Sequence, residues 1–176
     1  MTEAFKTYCL LLEQSGKEYT HEYLDEARGK IDNINHIVRS IKEHEISLQK
    51  QLSVGDRIGA RASVKEIHIK SEAFYYAAWR LRNILRKLPA LQSFECVGVR
   101  TVRNWLLEHP ENNPTPILSS SIQIGGAYGP VLGVLRPEGD DIRVWDSGLY
   151  RNVDQFEGNL VNLVRIFEKK LKSDAA

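Results

Sequence analysis

Cysteine is scarce in this chain. Cys9 and Cys96 are too few for a disulfide framework and too far apart in sequence for a paired metal motif. They read as buried thiols of a reducing cytosol. An excess of one charge is also lacking. Lys and Arg number 24 against 23 Asp and Glu, for a formal net charge of +1. No global field therefore draws the chain to nucleic acid, and any such binding must come from a local patch. Nor does any stretch reach the ~20 apolar residues of a membrane helix. The start MTEAFKTYCLLLEQ has no basic segment followed by a long apolar one. The expectation is a cytoplasmic protein with no membrane partner. Proline is sparse as well, and three of the six prolines fall between Pro110 and Pro116.

What is present suits one domain. The chain has 176 residues, 42% apolar and 27% charged, enough for a proper core. Phe5, Tyr8, Cys9, Leu11 and Leu12 predict a first helix over Thr2 to Gln14, ended by Ser15-Gly16. Ile31, Ile34, Val38 and Ile41, with Ile46 and Leu48 beyond, predict a long second helix from about Thr20 to Gln51. A glycine-bearing turn over Ser53 to Ala62 follows. The third helix is predicted from Ser63 to Leu88, with Ser63 to Glu66 as a capping box. Its stripe is Ile67, Phe74, Ala77, Ala78, Leu81, Leu85 and Leu88. After a loop over Pro89 to Ser93, a fourth helix is expected from Phe94 to Glu108, with Val99, Val102, Trp105 and Leu106 inward.

The pattern then changes. A Pro-rich loop and three short β-like runs fill 110–151, expected to form a small antiparallel meander before the last helix. That helix, Val153 to Lys172, turns Phe156, Leu160, Leu163, Val164 and Phe167 inward. The expected fold is mainly α: one domain, an antiparallel up-and-down helical bundle with a β-meander insertion.

The stretch Val99 to Pro110, VRTVRNWLLEHP, concentrates the chemistry. Proline disfavours helix in the residue before it, so His109 is expected at a fraying helix end. Arg103 and His109 are six residues apart, about 120° around a helix axis and ~9 Å along it. One regular helix cannot aim both at the same atom unless its end unwinds, and a second copy packed nearby could complete the site. Arg103-Asn104-Trp105-Leu106-Leu107-Glu108-His109 resembles the motif of the HEPN superfamily: Arg, a polar residue, a short spacer, then His. Arg39 to His44 and Arg61 to His68 have related spacing but no amide after the Arg. Another Arg-Asn pair, Arg82-Asn83, has no following His.

The resemblance implies a helical bundle, dimeric through the motif helix, and a metal-independent endoribonuclease with no cofactor. It also implies RNA as partner, and an antitoxin protein where the setting is a toxin or defence system. Attack of a 2′-hydroxyl on the adjacent phosphate needs a proton carrier and a cation. His109 suits the first role and Arg103 the second, with Asn104 orienting either. Arg100 is expected to add a phosphate contact, and Glu108 to lie at the substrate or tune His109. A catalytically silent HEPN-like module that binds a protein or nucleotide remains the alternative.

Other features read more plainly. Phe74, Tyr75, Tyr76 and Trp79 read as core before they read as a base-stacking platform. Arg80, Arg82, Arg86 and Lys87 suit the negative end of a helix dipole, with nucleic acid as the second reading. Glu18-x-x-His21 is half of a di-iron motif with no second half, so no metal is expected. Gly125 to Gly129 reads as a hairpin turn rather than a phosphate loop.

Overall fold

Two long helices set the frame. The structure of the protein, a computed structural model, describes residues 1–16, 21–108, 119–122, 134–138, 141–145 and 148–175, with backbone alone for 105–108 and the strands. Helices α1 (Thr2–Gln14), α2 (His21–Ser53), α3 (Arg57–Leu85), α4 (Val97–Glu108) and α5 (Leu149–Asp174) make it mainly helical. The apolar stripes fix the packing. Ile31, Ile34, Ile41 and Leu48 of α2 are buried, as are Ile67, Phe74, Ala78, Leu81 and Leu85 of α3. These two helices are an antiparallel hairpin. Gln51 meets Ser63 near the turn, while Lys87 lies over the Tyr23 ring at the far end, 4.7 Å from its centroid.

The hairpin turn is shorter than its glycines suggest. Gly55 takes φ +75°, a conformation that costs glycine least. Asp56 then caps α3, its side chain accepting from the Gly59 amide at 2.9 Å. A Cβ at Gly59 would stand 2.2 Å from Asp56 Oδ2, so a larger residue there would make the capping carboxylate shift. The capping box expected at Ser63 is therefore corrected. Ser63 is buried two turns into α3, and its hydroxyl donates to Gln51 Oε1 at 2.8 Å. Ile46 is also corrected: it is 67% exposed rather than part of the α2 stripe.

The other helices close around this hairpin. α1 packs on α5 and more lightly on α2, with the Tyr8 and Phe167 rings 6.1 Å apart. Tyr8 also donates to the Pro89 carbonyl at 2.9 Å, tying α1 to the loop after α3. That loop is itself core-forming, with Leu88, Leu91, Phe94 and Cys96 buried. Phe94 meets Phe156 of α5 edge-on at 4.8 Å, so the chain is still anchoring itself there and α4 starts only at Val97. α5 starts earlier than its apolar stripe suggests, at Leu149, after Gly148 at φ +59°.

Three strands lie within 110–151: β1 (Ser119–Ile122), β2 (Val134–Glu138) and β3 (Asp141–Trp145). Both pairings are antiparallel, with Ser119 opposite Trp145 and Glu138 opposite Asp141. Their order is β1-β3-β2, which differs from the sequential order of a meander. The local β2–β3 pair forms across a two-residue connection, and β1 takes the free edge of β3. Pro137 sits in β2, an edge strand, where a missing N–H is tolerated. Gly125 to Gly129 lie outside the described residues. Among the described residues, no helix is long and apolar enough to cross a membrane.

Candidate nucleic-acid interface

The end of α3 and the start of α4 bring charge together from two directions. Trp79, Arg82, Asn83 and Arg86 recur at helical spacing along one face of α3, and Arg100, Arg103 and Asn104 do so along α4. The segment between the two helices carries Glu95. Its Oε1 accepts from Arg82 Nη2 and, at 2.6 Å, from Arg86 Nη1. Its Oε2 accepts from Arg82 Nε at 3.3 Å. The hydrogen bond from Arg82, helped by the charges of Arg82, Arg86 and Arg100, holds the Glu95 carboxyl below the usual carboxylate range. Arg100 is exposed and close enough to act on Glu95 through its charge.

Trp79 joins the two helices. The Arg82 guanidinium carbon lies 4.7 Å from its ring centroid and that of Arg103 lies 5.6 Å away. Such contacts stabilise by about 0.5–2 kcal/mol each, according to how far water is excluded. Each arginine also donates from Nη1 to the Asn that follows it, Arg82 to Asn83 at 2.9 Å and Arg103 to Asn104 at 3.1 Å. The Arg82-Asn83 and Arg103-Asn104 pairs thus converge on one indole ring. The guanidiniums of Arg82, Arg86 and Arg100 act on the Glu95 carboxylate, and that of Arg103 joins them through Trp79.

The expected site residues are therefore placed unevenly. Arg100, Arg103 and Asn104 belong to the cluster, Arg103 and Asn104 half-buried. His109 and the side chain of Glu108 lie outside the described residues, as do those of Trp105 and Leu106. Sequence reasoning missed Glu95 and gave Trp79 and Arg82-Asn83 other roles. The usable signal was the repeated Arg-Asn dipeptide. Motif reading set Arg82-Asn83 aside because no His follows it.

The aromatic group divides. Phe74 and Tyr75 are buried and meet edge-on at 5.1 Å, as core residues do. Tyr76 is exposed, and Trp79 is engaged by arginines rather than presented as an open platform. Arg80 and Lys87 face α2 instead of the cluster, Arg80 with Glu26 at 3.8 Å and Lys87 over Tyr23.

Other parts of the molecule offer less chemistry. Burial pushes the Cys9 and Cys96 thiols up, away from the reactive thiolate. A cavity of about 160 Å³ between α1 and α2, touching Phe5, Cys9, Arg28 and Ile31, contains no motif residue. Among the described residues no His, Cys, Asp and Glu side chains are grouped so as to hold a metal ion. Glu18 lies outside the described residues.

No protein-family model, curated protein or solved structure matches the chain. The arginine cluster itself is thus the best guide to chemistry. Guanidiniums stay charged at every physiological pH and bind pairs of phosphate oxygens in their fork. A row of them on two adjacent helices suits a ligand that presents successive phosphates.

Proposed function

We propose that the protein binds RNA at the α3–α4 arginine cluster and cleaves it without a metal, as a HEPN-like endoribonuclease. The observation that carries this reading is the convergence of Arg103, the motif arginine, with Arg82, Arg86 and Arg100 around Trp79 and Glu95. The HEPN fold, with its up-and-down helix order and an insertion before the last helix, is part of this proposal. So is a cytoplasmic setting in a toxin or defence system, with an antitoxin as protein partner.

In the proposed reaction the RNA 2′-oxygen attacks the adjacent phosphorus and the bond to the 5′-oxygen breaks. A 2′,3′-cyclic phosphate and a 5′-hydroxyl result. The 2′-hydroxyl proton passes to a base, and the leaving oxygen takes a proton in return. Arg103 and Arg100 offset the extra charge on the phosphate. Asn104, already an acceptor for Arg103, fixes the guanidinium plane. The motif assigns proton transfer to His109 and a substrate-side role to Glu108. A homodimer through α4 would set one protomer's Arg103 against its partner's motif.

One observation favours a second reading. Arg82 and Arg86 are already engaged by Glu95, as in a cluster built to hold α3 to α4. A catalytically silent module that binds a protein or nucleotide fits that arrangement.

The experiment is incubation of purified protein with a structured RNA pool in EDTA, beside Arg103→Ala and His109→Ala. The expected outcome is cleavage leaving 2′,3′-cyclic phosphate ends, reduced at least about 100-fold in either variant, the lower end of what an acid–base group contributes. Equal cleavage by all three proteins, or none by any, turns the assignment toward the silent module. Sedimentation of the same samples tests the dimer.

A further inference from the structure

We infer that Glu95 is a displaceable internal counter-ion, standing where a backbone phosphate of bound RNA docks between Arg82 and Arg86. This rests on the RNA-binding reading of the same cluster and adds to it a built-in competitor. The geometry is that of a substitute anion. Arg82 gives both Nε and Nη2 to the carboxylate, and Arg86 adds Nη1 from the next helical turn. A phosphodiester presents two non-bridging oxygens to the same donors in the same forked arrangement.

The surroundings permit exchange. The Glu95 side chain is 43% exposed, whereas that of Arg82 is only 13% exposed. The arginine is held, between Trp79 and Asn83, and the carboxylate is the member with room to leave. The backbone of Glu95 is fixed independently, its carbonyl accepting from Asn159 Nδ2 at 2.7 Å. Swinging the side chain away therefore leaves the α3–α4 connection in place. Until that happens, binding at Arg82 and Arg86 must displace an existing ion pair.

Neutralising Glu95 should then tighten binding rather than weaken it. The probe is a fluorescein-labelled 20-nucleotide single-stranded 2′-O-methyl RNA, which has no 2′-hydroxyl to attack the phosphate, titrated in EDTA and followed by anisotropy across a salt series. Glu95→Gln and Glu95→Ala are each expected to bind about two- to fivefold more tightly than wild type, the range set by losing one partly exposed ion pair. The salt slope should steepen by about 0.7, one further phosphate neutralised on a single strand. Adding Arg82→Ala to Glu95→Gln should abolish the gain. In the unaltered chain, the Arg82 Nε–H resonance should move when RNA is added. Wild-type binding with unchanged or weaker affinity in both variants overturns the counter-ion and leaves the RNA-binding reading standing. Absence of binding in every protein overturns both.

Discussion

Gly98 shows how tightly single residues hold the candidate site. A Cβ there would stand 2.0 Å from Asn152 Oδ1 and 3.2 Å from Gln155 Oε1 of α5. Asn152 cannot easily retreat, because it is buried and its amide nitrogen donates to the Tyr75 hydroxyl at 3.0 Å. Gly98→Ala is thus expected to lower stability by about 1–3 kcal/mol, the range for overpacking a well-filled contact. Urea denaturation would measure it. Arg100 and Arg103 share the displaced helix, so RNA affinity should fall in the same variant. Residues of this kind mark where the sequence was legible and where it was not. Arg103 and Asn104 were legible because they are adjacent in a helix with a recognisable pattern. Glu95 and Trp79 were not, because their roles depend on α3 and α4 packing side by side. Neither residue type nor local spacing reports that packing.

Between elements, the contact of α2 with α5 carries a titratable group. Tyr150 donates to Glu45 Oε2 at 2.6 Å, and Lys42 lies over the Tyr150 ring at 5.5 Å. Burial nevertheless outweighs these partners and raises the Glu45 carboxyl from its ordinary value of 4.5. With the folded value above the unfolded one, the native state holds the extra proton, so this group lowers stability as pH rises from about 4.5. Glu45→Gln keeps an acceptor for Tyr150 and removes the charge. Its stability relative to wild type should therefore be greater at pH 7 than at pH 4.5, as read from urea midpoints at both. Glu95 works in the opposite sense, contributing stability above its lowered value and losing it on acidification. At this scale the helices were largely readable, since every expected stripe residue of α3 is buried. Helix starts were less so. Ser63 has the residue type of a cap, but Asp56, placed by Gly55, captures the orphan amides first. The strand order was not readable, because period-two patterns do not say which edge a third strand joins.

For the whole molecule, the proposed RNA binding asks how a chain with net charge +1 would hold a polyanion. Local concentration answers it. If the four arginines make the contact, the logarithm of RNA affinity should fall against the logarithm of salt with a slope of about −2 to −3, given ~0.7 per phosphate. A flat response would remove the cluster from consideration, since contacts to uncharged groups release no counter-ions. The same whole-molecule view bears on how the fold is reached. α1 packs chiefly on α5, so a helix made early is completed by one made much later. At ordinary rates of synthesis, on the order of ten seconds separate their emergence from the ribosome. Through that interval Phe5, Tyr8 and Leu12 have no α5 to cover them. A chain stopped before α5 should therefore expose this apolar face and aggregate, whereas one that includes α5 should not.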